Sequence, residues 1–227
     1  MTPLSRLFAI VSALTLPLLV LVPATVSAQG FEVAPIPVES VAGRATTVRI
    51  TNPSASPLYV EASLMEWSRD ERGVETMRES TRAQVSPPAF WVNPNGGTQI
   101  MRLALPQAPD GEEIPFRLVL QQVPNRDAIA AGRIVMAVRQ VIPVFSMPDR
   151  IRPPSLSGRA SGDALLIFNE GGRRVRVSRV SQDNRVLASG LVGYALAGTV
   201  SRMDVRGVRP GRIQLETDVG PMVLDVR

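Results

Sequence analysis

Short segments that alternate apolar and polar residues, separated by proline, glycine and asparagine, run through the chain from about residue 31 to its end. One such segment, TTVRITN, ends at the turn signal Asn52-Pro53, and another, TQIMRLAL, follows Gly96-Gly97. No segment shows the three- and four-residue apolar spacing of an amphipathic helix. Regularly spaced strands separated by these turn residues predict an antiparallel all-β sandwich.

A proline-rich segment divides these strands into two groups. Residues 146–155, SMPDRIRPPS, contain three prolines and three charged side chains, a composition that suits an elbow between domains. Each group is of domain size, although the second is small. We therefore predict two all-β domains in series, 29–148 and 149–227.

The first 28 residues have the pattern of an export signal. A single cation, Arg6, precedes a long apolar stretch that ends in the small-x-small tripeptide Val26-Ser27-Ala28, the pattern that signal peptidase cleaves. An uncleaved membrane anchor is the alternative, but Pro17 and Pro23 interrupt the apolar run. We expect residues 1–28 to be a signal peptide, with a mature chain that starts at Gln29 in an exported compartment.

The amino-acid composition removes several kinds of chemistry. The chain has no cysteine and no histidine, and all 25 of its Lys+Arg residues are arginine. It therefore lacks a thiol nucleophile, a disulfide framework, the usual general base and the usual zinc ligand. We expect no metal and no cofactor, and we interpret the net charge of +5 as a solvated basic surface rather than a nucleic-acid interface.

Two charged segments have competing interpretations. The turn PDGEEIP carries Asp110, Glu112 and Glu113, and paired carboxylates can hydrolyse glycosides, but carboxylates in such a turn are usually just solvated. A calcium site at these residues lacks the spacing of a known loop. The segment RRVRVSR, residues 173–179, fits a strand with one wet face, against the alternative of a specific anion site. We expect no enzymatic activity.

One segment is apolar on both faces of a strand. In GRIVMAVRQVIPVF, residues 132–145, one phase contains Ile134, Met136 and Val138, and the other contains Val135, Ala137 and Val141. A half-buried strand alternates apolar with polar residues, so something must cover the second face. The residues alone do not say what covers it.

The order of several motifs resembles a known family, the periplasmic chaperones of the chaperone–usher pathway. The resemblance runs from about Phe31 to the C-terminus, and PIPVE, VIPVF and GYALAG are similar to the archaic branch of the family. The motifs that carry it, in chain order, are VAPIPVESVAGRATTVRITNPSASPLYVEASLMEWSRDERG, SPPAFWVNPNGGTQIMRLAL, PFRLVLQQVP, VIPVF and GYALAG.

The resemblance implies two immunoglobulin-like β-sandwiches in a boomerang arrangement. It also implies a chaperone that caps pilus or fimbrial subunits in the periplasm by donor-strand complementation and delivers them to an outer-membrane usher. Ile134, Met136 and Val138 would then face the subunit, and Val135, Ala137 and Val141 would be buried in the first sandwich. Two alternatives stay open, namely a core strand covered by the second domain, and a secreted immunoglobulin-like binding module or structural subunit.

The sequence departs from the family at two sites. The conventional branch holds the subunit's terminal carboxylate with an Arg and a Lys, whose positions here are Ile36 and Pro143; Arg117, and after it Arg139, are the candidate replacements. The family's inter-domain ion pair maps to Arg102 and Asp218, with Gln122 in place of one acidic residue. Whether free copies associate through their donor strands also stays open.

Overall fold

The computed structural model describes residues 30–41, 44–124 and 136–227, and the predicted signal peptide lies outside these ranges. The described residues form strands, turns and loops without a helix, and among them no apolar helix of membrane-spanning length occurs. The predicted all-β class is confirmed.

The first domain is a sandwich of two sheets. One has the order β1-β3-β8-β6, and the other has the order β2-β10-β9-β4-β5, with β7 also paired to β4. The strands are β1 (Glu32–Ala34), β2 (Val38–Val41), β3 (Thr46–Asn52), β4 (Leu58–Arg69), β5 (Glu75–Glu79), β6 (Gln84–Ser86), β7 (Ala89–Val92), β8 (Gly97–Ala104), β9 (Ile114–Val123) and β10 (Arg139–Met147).

Period-two alternation gives this domain its core. In β4, Val60 and Leu64 are buried between the sheets, whereas Tyr59 and Ser63 lie on the outer face, as their alternation predicts. Phe116, Leu118 and Leu120 of β9 complete the centre of the core. The outer face of the β2-β10-β9-β4-β5 sheet is the surface that meets the second domain.

The second domain contains one seven-stranded sheet, in the order β14-β13-β16-β17-β11-β12-β15, whose end strands β14 and β15 approach each other around a separate apolar core. Its strands are β11 (Leu156–Ser161), β12 (Ala164–Asn169), β13 (Val175–Gln182), β14 (Arg185–Ala195), β15 (Thr199–Asp204), β16 (Gly211–Thr217) and β17 (Met222–Val226). With the first domain, it gives two immunoglobulin-like β-sandwich domains in series, and residues 148–155 connect their strands.

Candidate functional site

Aromatic side chains from both domains meet at the junction. Trp67 of β4 and Phe145 of β10 lie on the outer face of the first domain, and Tyr194 of β14 packs against both, with ring centroids 5.5 Å from Trp67 and 6.1 Å from Phe145. Met147 and Leu196 complete this group, which we call the junction cluster. Because all five residues are buried, the two domains share a small apolar core of their own.

A buried arginine links the domains beside this cluster. The Arg174 side chain, only 2% exposed, donates from Nη1 to Oε2 of Glu113 at 2.7 Å, and its backbone N–H donates to Oε1 of Glu113, also at 2.7 Å. Its Nη2 donates to Glu39 of β2, and its guanidinium carbon lies 3.6 Å from the centroid of the Phe145 ring. Arg174 precedes β13 in the second domain, and its three partners belong to the first, so one side chain ties the domains together.

Burial sets the electrostatics of this pair. Burial raises the pKa of the Glu113 carboxyl, and the Arg174 guanidinium opposes that shift. Burial also acts to lower the pKa of Arg174, but the Glu113 and Glu39 carboxylates outweigh it and hold the guanidinium charged. Two direct donors from Arg174 to both Glu113 oxygens favour the ionised pair. The interpretation of Glu113 as a solvated turn carboxylate is therefore wrong. Within residues 173–179, Val175 and Val177 are buried and Arg176 and Arg179 are exposed, as a strand with one solvent-exposed face predicts, but Arg174 is buried.

Two glycines allow this close approach. A Cβ on Gly172 would lie 1.5 Å from the carbonyl oxygen of Gly111, which belongs to the PDGEEIP turn. The carbonyl of Gly172 accepts a hydrogen bond from the N–H of Glu113 at 3.0 Å. Only a residue without a side chain fits at this contact between the domains.

A second group of charged side chains, two arginines and one glutamate, lies next to the junction cluster in the cleft between the domains. The guanidinium carbon of Arg117 lies 3.5 Å from the Trp67 ring centroid and 6.0 Å from that of Tyr194. Nη2 of Arg117 donates to both carboxylate oxygens of Glu75, at 3.1 and 3.3 Å. Nη1 of Arg69 lies 3.6 Å from the same carboxylate. Arg117 thus faces the second domain, and two arginines share one carboxylate.

The hairpin that carries Glu75 reaches across to the second domain. The predicted turn at residues 70–73 closes with a hydrogen bond from the N–H of Gly73 to the carbonyl of Asp70, and β4 and β5 run antiparallel on either side. The carbonyl of Gly73 accepts a hydrogen bond from the N–H of Arg202 of β15 at 2.9 Å. This contact fixes the tip of the hairpin at the edge of the cleft.

β10 has one paired edge and one partly open edge. It pairs antiparallel with β9 from Arg139 to Ser146, but its parallel pairing with β2 covers only Val144–Met147. Among the described residues, no strand pairs with Arg139–Pro143 on the side away from β9. Strand edges of this kind present free backbone donors and acceptors.

The predicted orientation of this segment needs correction. Val141, expected in the core, is 38% exposed, and Ala137 is exposed, whereas Val138, expected to be exposed, packs against the core of the first domain. The register explains the difference, because Ile142 lies opposite the core residue Leu118. Met136 is 72% exposed, as expected. Ile134 and Val135 lie outside the described residues.

The predicted ion pair between Arg102 and Asp218 is also wrong. Arg102 of β8 points to solvent on the outer face of the other sheet, and Asp218 accepts a hydrogen bond from the backbone N–H of Arg176. Neither side chain forms an ion pair with a described residue. Gln122 of β9, mapped to the same network, lies beside the residues that precede β10 instead, and its N–H donates to the carbonyl of Val138 at 2.8 Å. The pairing of Arg174 with Glu113 supplies the inter-domain link.

The remaining predicted residues, Arg139, Ile36 and Pro143, do not join the junction cluster or the cleft ion pairs. Arg139 is exposed at the open edge of β10, without an ionic partner among the described residues. Ile36 is 57% exposed in the bend between β1 and β2, and Pro143 is buried opposite Arg117. The described residues contain no group of three acidic, histidine or cysteine side chains arranged to hold a metal.

Four residues of the junction and the cleft carry no sequence pattern that predicted their roles, namely Arg69, Glu75, Arg174 and Tyr194. Arg174 precedes its strand, so a two-residue period says nothing about its direction. The one available signal was the pair Gly171-Gly172 immediately before it, because adjacent glycines often mark a close backbone approach.

Comparisons with solved structures support the same fold. A chain of the pre-assembly complex between the CsuC chaperone and the CsuE tip adhesion subunit, from the archaic Csu pili of Acinetobacter baumannii, is 19% identical with a TM-score of 0.73, and the match covers 87% of this chain and 99% of that one. A chain of the Salmonella enterica SafA pilin–SafB chaperone complex is 16% identical with a TM-score of 0.66, covering 88% and 97%. The CupB2 chaperone of Pseudomonas aeruginosa is 18% identical with a TM-score of 0.58, covering 86% and 100%.

No curated protein sequence matches the chain. The family of pili and flagellar-assembly chaperones, represented by its PapD N-terminal domain, matches residues 39–152, which is half of the chain. That segment contains the strands from β3 to β10, the open edge and the cleft arginines. With two immunoglobulin-like sandwiches and this match, the chain belongs to the family of pili and flagellar-assembly chaperones.

Proposed function

We propose that this protein is a periplasmic chaperone that binds pilus or fimbrial subunits by lending them the edge of β10, and that it delivers them to an outer-membrane usher. The observation that carries the proposal is the open edge at Arg139–Pro143 in a domain of this family. A subunit that lacks a strand needs backbone partners and apolar side chains, and both are available here.

The backbone groups on this edge point outward. The N–H of Gln122 bonds to the carbonyl of Val138, so in an antiparallel ladder Val138 and the residues two apart from it direct their backbone groups toward β9. Arg139 and Val141 therefore direct theirs to the open side. An incoming strand could form hydrogen bonds with both without disturbing β9.

Exposed apolar side chains lie beside the open edge and elsewhere on the same sheet. Val141 is 38% exposed on the outer face, and Met136 is 72% exposed just before the strand. At the far end of the sheet Trp91, 63% exposed, packs on Tyr59 with ring centroids 5.0 Å apart. Exposed apolar side chains beside an open strand edge suit an interaction surface.

Arg117 is our candidate for the group that holds the subunit's carboxylate. It lies in the cleft opposite Pro143 in the strand register, and its guanidinium carbon lies over the Trp67 ring, 3.5 Å from the centroid. Loss of one desolvated carboxylate contact costs on the order of 2–5 kcal/mol of binding, so Arg117→Ala should weaken subunit capture strongly. Arg139, at the open edge, is the second candidate.

The test compares two adjacent residues of β10. Val141→Asp places a charge on a face that is already in contact with water, so the protein should fold, but seating that charge in an apolar groove costs several kcal/mol and should abolish capture. Ile142→Asp places the same charge in the core, where Ile142 is 3% exposed, and should prevent folding. Met136→Asp should behave like Val141→Asp.

Capture is measured by purifying the tagged mature chain from the periplasm and identifying co-purified proteins by mass spectrometry. We expect pilus-type subunits in one-to-one complexes, and an usher after cross-linking. A chain that carries no subunit but forms polymers on size-exclusion chromatography would instead be a structural subunit. Normal capture by folded Val141→Asp and Met136→Asp proteins would refute the donor-strand proposal.

A further inference from the structure

The two cleft arginines are held rigidly, but their carboxylate partner is not. The side chains of Arg69 and Arg117 are 8% and 13% exposed, and both contact the Trp67 ring. Nη2 of Arg69 also donates to the backbone carbonyl of Tyr194, at 3.4 Å. Glu75, in contrast, is 33% exposed and belongs to β5, in which every residue is exposed. Its side chain can turn into solvent without any movement of the backbone.

Glu75 uses only part of the donor capacity of this pair. It contacts Arg117 through a single nitrogen, Nη2, rather than through the two parallel hydrogen bonds that a guanidinium can form. Nε of Arg117 and Nε of Arg69 are buried, with no hydrogen-bond partner among the described residues. A better-placed carboxylate could therefore form contacts that Glu75 does not.

The charge balance also favours a further anion. Two guanidinium groups face one carboxylate, and no other described carboxylate lies within ion-pair distance of either arginine. Burial lowers the pKa of Arg69; Glu75 opposes this shift and the neighbouring Arg117 adds to it. Displacing Glu75 without a replacement would leave two nearby buried cations, so an anion must enter as Glu75 leaves.

We propose that Glu75 is an internal competitor, whose carboxylate occupies Arg69 and Arg117 in the free protein and is displaced when a carboxylate of the bound partner enters the cleft. That the partner is a subunit rests on the proposed function. The competition itself does not, because it depends only on the cleft residues. Glu75 would keep the buried arginines paired in the empty chaperone and would be released when a partner is captured.

The competition lowers the apparent affinity of the cleft for carboxylates. If the site is unoccupied by Glu75 in only a fraction of the molecules, the apparent Kd for the ligand equals the intrinsic Kd divided by that fraction. Glu75→Gln should therefore strengthen carboxylate binding by about fivefold, because the neutral amide is a weaker competitor. If Glu75 were only a counter-ion that keeps the arginines in place, its loss would leave binding unchanged or weaken it.

The chain supplies its own reporter for this test. It has two tryptophans, of which Trp67 lies under Arg117 and Trp91 is exposed at the other end of the sheet. Sodium acetate is titrated at constant ionic strength, and the indole N–H resonances of both are followed by NMR. Acetamide serves as the neutral control ligand. Acetate should shift the Trp67 signal with little effect on Trp91, and acetamide should shift neither.

The matched control is Glu79→Gln on the same strand, which removes one negative charge from an exposed residue that has no contact with either arginine. Its affinity for acetate should stay within about twofold of the wild type. Arg117→Gln should abolish the response of Trp67. Equal or weaker binding by Glu75→Gln, or an equal gain in Glu79→Gln, would overturn the proposal.

Failure of the competition proposal and failure of the proposed function give different results. If the wild-type chain captures no subunit but Glu75→Gln binds acetate more tightly, the proposed function fails and the competition stands. If subunits are captured but Glu75→Gln has no effect on acetate binding, the competition alone is refuted.

Discussion

Removing one partner of the buried pair between Arg174 and Glu113 should destabilise the protein strongly. Both side chains are at most 2% exposed, so Arg174→Met leaves the Glu113 carboxylate without a charged partner in the domain junction. Breaking a buried ion pair in this way costs about 3–5 kcal/mol, most of it from the unpaired charge. Arg174→Met should also lose the contact with Phe145 and should therefore fall at the upper end of this range.

The double variant separates charge from packing. In Arg174→Met/Glu113→Gln neither buried side chain is charged, so its loss of stability should be clearly smaller than the sum of the two single losses. The matched control is Arg179→Met, in the same segment as Arg174. It breaks an exposed ion pair with Glu216 and should lower the free energy of unfolding by about 0–1 kcal/mol.

The assay is urea unfolding followed by tryptophan fluorescence. Trp67 lies in the junction cluster, so its emission reports the loss of contact between the domains as well as unfolding of the first domain. An Arg174→Met loss no larger than that of Arg179→Met would contradict a buried charge pair. So would single losses at Arg174 and Glu113 that simply add in the double variant.

Three further predictions concern the junction, a surface ion cluster and a turn. Gly172→Ala should destabilise the junction, because its Cβ would lie 1.5 Å from the carbonyl oxygen of Gly111; an unchanged melting temperature would contradict this. Hydrogen bonds from Arg78 and Arg82 hold the pKa of Glu66 below its usual 4.5, so its stabilising contribution is present above that pH and is lost as the pH falls through the lowered value. The melting temperatures of wild type and Glu66→Gln should therefore differ at pH 7 and converge in acid, whereas a constant gap would refute this. Asn52→Ala should cost about 1–3 kcal/mol in urea unfolding, because the Asn52 amide bonds to the carbonyls of Ser56 and Val92 and its loss leaves buried groups unpaired. A loss near zero would show that water replaces these bonds.

Local sequence patterns were enough to predict the class of fold and most of the strands. Alternation in LYVEASLMEW separates the buried Val60 and Leu64 from the outward Tyr59 and Ser63, because successive side chains of a strand point to opposite faces. The turn at Asn52-Pro53 and the hairpin at residues 70–73 follow from local backbone preferences, which act within a few residues. The ordered motifs also indicated the family that the comparisons show.

The arrangement of the site depends on contacts between strands and between domains, which the sequence patterns did not predict. The segment 132–145 is apolar on both phases, so its pattern could not say which phase faces the core; the pairing of Ile142 with Leu118 turned Val138 inward and Val141 outward. Arg174 and Glu113 resemble ordinary surface charges in the sequence, and they are buried because two domains close over them. Contacts between residues distant in the chain depend on register and domain packing, which a local pattern does not contain.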